Sequence, residues 1–142
     1  MQDITLEQVK RAAFQYYCMG RLTAQHPDQD KRECVYIDGE GYRCAVGAVF
    51  TEETIALHDA EFGRGTGCSD DVDSLVFVGM PPKERKAIAK IQDAYDMWCA
   101  YSWKGSDRSA MAASRSAFLA LIAPSPALAE LVVTPPPESV PV

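Results

Sequence analysis

The chain has 142 residues, 47% of them apolar and 24% charged, which suits one soluble domain with its own core and excludes disorder over most of its length. Twenty Asp and Glu outweigh fourteen Lys and Arg for a net charge of -6, which argues against direct binding to duplex nucleic acid, since that needs basic surface to release counterions. No stretch approaches the roughly 18 apolar residues of a membrane span, and Met1–Glu7 lacks the basic and apolar regions of a signal peptide, so the expected location is cytoplasmic.

Thr5 and Gln8 have capping-box spacing and open a first helix. Leu6, Val9, Ala13, Tyr16, Tyr17 and Gly20 fall on one face of it. It is expected to end near 22–25, ahead of His26-Pro27, because proline disfavours helix in the residue before it. Two β-prone runs, 33–38 and 42–46, flank Gly39-Glu40-Gly41 and predict a hairpin. Thr51 can cap a short helix that ends before Gly63. Residues 62–73 form an irregular, Gly- and Asp-rich centre, followed by a short apolar run at 75–78. Pro81-Pro82 opens the longest helix, which runs to about Ser102 or Trp103. A third long helix spans about 107–123, and Ser125-Pro126 starts a short final turn through Leu131. The expected fold is α+β: a helix-dominated single domain, 1–133, with one antiparallel β-hairpin packed on three long helices. A Pro-rich extended tail follows at 134–142.

Five cysteines, an odd number without a CxxC pair, argue against a disulfide framework. Cys34, Cys44 and Cys68 with His26 and His58 lack the close ligand pairs of a structural zinc site, so no metal and no cofactor is expected. Cys44 is expected to pack in the core. Gly63-Arg64-Gly65-Thr66-Gly67 has neither the lysine nor the spacing of a phosphate-binding P-loop and reads as a linker. Asp70, Asp71 and Asp73 miss the pattern of a calcium loop.

Tyr36, Gly39, Gly41 and then Arg43-Cys44-Ala45-Val46-Gly47 resemble a motif of small phage and prophage proteins: a tyrosine, a Gly-rich turn, a basic residue and Cys-Ala-Val-Gly. Ile91-Gln92-Asp93-Ala94-Tyr95-Asp96 is similar to their later Leu-Gln-x-x-His-Asp stretch, with Tyr95 where that pattern has histidine. The resemblance spans about 33–123. It implies a setting, a phage-type accessory protein in a bacterial host cell, rather than a chemistry.

In the long helix Ile88, Ile91, Tyr95, Trp98 and Ser102 form the inner stripe. Lys83, Lys86 and Lys90 fall opposite, where cations oppose the helix dipole and helix stability does not call for them. Met97 and Tyr101 continue that outer face as apolar groups of the kind enriched at interfaces. A symmetric homodimer would also suit such a strip. In the third helix Arg115 falls within the apolar stripe, and Asp96 is its expected internal partner. No nucleophile, base and orienting group converge in the sequence, so the chain is not expected to be an enzyme. The leading expectation is an acidic accessory protein that binds a host protein without catalysis, plausibly inhibiting a bacterial defence system. The alternative is a binder that sequesters a nucleotide-like small molecule through Tyr36, Arg43, Arg64 and Arg115.

Overall fold

The computed structural model describes residues 4–28, 37–38, 40–62, 80–104, 108–125 and 127–128. Among the described residues, four helices make the frame: α1 (Leu6–Cys18), α2 (Glu52–Phe62), α3 (Pro82–Lys104) and α4 (Arg108–Ile122). Single 3-10 turns occupy Thr23–Gln25 and Gly47–Val49. The expected linker at 63–67, the rest of the irregular centre to 73, the run at 75–78 and the tail at 134–142 lie outside the described residues, as does most of the final turn expected at 125–131.

The cap of α1 is reciprocal. Thr5 Oγ1 accepts the Gln8 amide at 3.2 Å, and Gln8 Oε1 accepts the Thr5 amide at 2.9 Å. The other end departs from expectation, since the helix stops at Cys18. Gly20 takes φ +70, the Gly20 amide bonds Tyr17 O at 3.0 Å and the Arg21 amide bonds Tyr16 O at 2.9 Å. That is the paired bonding of a Schellman stop, so Gly20 terminates the helix and is not part of its apolar face.

The expected β-hairpin is not seen: the fold is helix-dominated, with no β-strand among the described residues. Residues 33–36 lie outside those residues, and 37–46 contain only two isolated bridges, Ile37 with Arg43 and Leu22 with Arg43. Local bonding consumes the backbone groups that a ladder would need. Asp38 Oδ1 accepts the amides of Glu40 and Tyr42 at 2.8 and 2.9 Å. From Cys44 onward the chain turns helically, with the Ala48 amide on Cys44 O at 3.0 Å. Two buried side chains hold that turn. Arg43 donates to Gly47 O at 3.0 Å and to Phe50 O, and Gln92 Oε1 accepts the Val46 amide at 3.0 Å. Tertiary hydrogen bonding overrides the β preference of Cys44-Ala45-Val46.

Val9, Ala13, Leu22, Cys44, Val46, Ile88, Ile91, Tyr95, Trp98, Phe118, Leu119 and Ile122 make up much of the core. Its centre is aromatic. Tyr95 meets Trp98 edge-on at 5.9 Å and Phe118 at 5.4 Å, and Trp98 stacks on Phe118 at 5.7 Å. Such pairs add about 0.5–1.5 kcal/mol each beyond their buried area, so this cluster fixes α3 on α4.

Candidate functional site

With its inner stripe committed to the core, α3 presents the opposite face outward. Lys83, Lys86, Lys90, Met97 and Tyr101 fall within about 60° of one line at the helical repeat, over about 27 Å of axis. All five are exposed, and Met97 at 54% and Tyr101 at 38% are among the few exposed large apolar side chains of the described residues. None of the three lysines forms an ion pair with a described residue. Glu84, in the first turn, offsets part of the positive potential, and exposed Asp93 borders the strip midway. The strip is therefore basic at its amino end and apolar at its carboxyl end.

The other candidate residues do not assemble into a nucleotide pocket. Tyr36 and Arg64 lie outside the described residues. Arg43 is 9% exposed, and its guanidinium is spent on the carbonyls of Gly47 and Phe50, beside the Tyr16 ring. Arg115 is half-buried and makes no ion pair with Asp96. Its Nε lacks a hydrogen-bond partner and its charge acts on the Tyr17 phenol instead. Burial still dominates at Tyr17 and raises its pKa. Asp96 Oδ1 accepts from Gln92 Nε2 at 2.7 Å.

One polar cluster is absent from the sequence expectations. His26, 4% exposed, places Nε2 at 2.5 Å from Glu40 Oε2, and its ring packs at 4.4 Å from Tyr42. Arg21 lies over the other partner in this corner, with its guanidinium carbon 4.0 Å from the Tyr42 centroid and Nη2 donating to Glu40 O at 2.6 Å. His26, Asp38 and Glu40 each offer a donor atom within 4.8 Å of the others, and Asp38 Oδ2 is buried without a hydrogen-bond partner. The trio would suit a metal by residue type, but the imidazole tautomer opposes it. His26 Nδ1 accepts the Asp28 amide at 3.0 Å, so the neutral ring carries its proton on Nε2 and donates it to Glu40. A metal on Nε2 would require the ring to release the Asp28 amide. As folded, the cluster fastens the 38–42 turn against the 3-10 turn after α1. The pairing of Glu40 with a histidine fourteen positions earlier followed no local rule.

The stretches 43–47 and 91–96 meet in space. Gln92 holds the Val46 amide, and Tyr95 Oη accepts the Ala24 amide at 2.9 Å and shares a short hydrogen bond with Thr23 Oγ1. They meet as a latch between α3 and the two 3-10 turns, with Gln92 and Tyr95 fully buried. No protein-family model, curated protein or solved structure matches the chain.

Proposed function

We propose that the protein is a non-catalytic binding protein whose outer α3 face engages a protein partner. The carrying observation is the exposure of Met97 and Tyr101 on the same strip as three lysines that pair with no described carboxylate. A partner surface with an apolar centre and an acidic rim complements both halves, because aromatic and Met side chains anchor interfaces while rim charges set register. The motif resemblance to phage accessory proteins supports a host bacterial protein as that partner, and the consequence proposed is inhibition of a defence system.

The test is capture from a bacterial lysate with three forms of the full chain: wild type, Tyr101→Ala, and the triple variant Lys83→Glu, Lys86→Glu, Lys90→Glu. Circular dichroism melting verifies that each remains folded. The expected result is one host protein held by the wild type and depleted on both variants. Truncation of a buried anchor costs on the order of 2 kcal/mol of binding. A partner retained equally by all three would remove this face from the reading. A nucleotide carried through purification instead would favour the small-molecule alternative.

A further inference from the structure

α1 has a second face that is largely open to solvent, with only Phe14 packed against the core. Glu7, Lys10, Arg11, Phe14 and Gln15 follow the i, i+3, i+4, i+7, i+8 spacing of one helical side. Facing them is the carboxyl end of α4, where Ala123 and Pro124, backed by the buried Ile122, form an apolar wall. The groove between has a volume of about 650 Å³, inside the roughly 300–1,000 Å³ range of small-molecule sites.

Its polar groups are unbalanced. Arg11 is exposed and makes no hydrogen bond or ion pair with a described residue. Lys10 has only a 4.0 Å contact with Glu7, whose side chain is 77% exposed, and such a pair is weak in water. Two cations thus face one solvated carboxylate, beside the half-buried Phe14 ring and the Ala123–Pro124 wall. The carboxyl end of α4 carries negative dipole potential, which could by itself call for nearby cations. Arg11, however, does not bond the terminal carbonyls of α4, so its donors are not used as a cap.

From this charge imbalance over an apolar wall, we propose that the α1–α4 groove binds a small amphipathic monoanion, a carboxylate on a hydrocarbon body. Arg11 takes the head group through its planar fork of donors, Lys10 adds charge, and Phe14, Ala123 and Pro124 cover the hydrocarbon. The site is separate from the outer α3 face and does not depend on the reading given for it.

The probe is octanoate, titrated calorimetrically into the full chain, with octanol and octylammonium as neutral and cationic controls. The expected result is saturable binding of one octanoate per chain. Octanol and octylammonium should each bind about tenfold or more weakly, the scale of a lost charge-assisted hydrogen bond. Arg11→Gln, at an exposed position that leaves folding intact, should weaken octanoate by a similar factor, and Ala123→Phe should close the groove and abolish it. Tyr101→Ala should leave octanoate binding unchanged. Non-saturating heats, equal binding of octanol, an unaffected Arg11→Gln variant or loss of binding in Tyr101→Ala would each overturn the proposal.

Discussion

Tyr95 concentrates the internal chemistry of the fold in one side chain. It is fully buried, its oxygen serves the Ala24 amide and Thr23 hydroxyl, and burial pushes its phenol well above the ordinary value of 10.0. The bonds from Thr23 and Ala24 favour the ionised form, but desolvation outweighs them. The folded phenol therefore stays protonated where the unfolded one ionises. Above pH 10 the unfolded chain holds fewer protons, so stability is full below that pH and falls as pH rises, by at most about 1.4 kcal/mol per pH unit from this group. Tyr95→Phe should flatten that alkaline loss in melts taken between pH 9 and 11. At neutral pH the same variant should lower stability by about 1–3 kcal/mol, because it strands the buried Ala24 amide. An unchanged alkaline slope would show that Tyr95 does not set it. Tyr95 is thus a hydrogen-bonding strut in an aromatic core.

At the scale of elements, boundaries with their own local chemistry were legible in the sequence and those set by distant side chains were not. The Thr5 cap, the Pro81-Pro82 start of α3 and the inner stripe from Ile88 to Ser102 follow from spacing, and the structure buries that stripe. The missing hairpin has the opposite cause. Whether 42–46 extends or coils depends on Gln92, forty-six positions away, and on where the Arg43 guanidinium finds carbonyls. For the same reason sequence spacing alone does not show that the Arg43 guanidinium clamps the carbonyls of Gly47 and Phe50. The outer α3 face was legible because it needs only the helical repeat and the location of the core. The groove beside α1 needs the placement of α4, which no spacing rule supplies. Gly20 was read as part of a helix face because its neighbours fit the period, although glycine two residues after the last helical position is also a stop signal. That role is testable. A Cβ at Gly20 would meet no atom within 4 Å, so Gly20→Ala should cost only the left-handed backbone penalty, about 1–2 kcal/mol. A chemical denaturation midpoint equal to wild type would show that the stop tolerates any residue.

For the whole molecule, the distribution of charge matters more than its sum. A net charge of -6 repels an acidic partner at long range, while Lys83, Lys86 and Lys90 attract it locally at one end of α3. The screening length is about 30 Å at 0.01 M salt and about 3 Å at 1 M, so at low salt the partner feels the whole chain and at high salt only the lysine face it touches. Reversing the three lysines takes the net charge from -6 to -12 and removes the only attraction the strip offers to an acidic rim. Rim charges act on encounter and buried anchors act on dissociation, so the two surface variants should separate kinetically. In stopped-flow binding to the captured partner, the lysine-to-glutamate triple should slow association by about tenfold or more at low salt, with the deficit shrinking as salt rises. Tyr101→Ala should leave association nearly unchanged and raise the dissociation rate by about thirtyfold, the equivalent of 2 kcal/mol. Exposed positions contribute within about 0.5 kcal/mol to stability, so both variants should melt close to wild type. Equal association rates for the triple variant and wild type at low salt would show that the lysines lie outside the interface. A Tyr101→Ala variant that melts early yet dissociates normally would assign that ring to the fold.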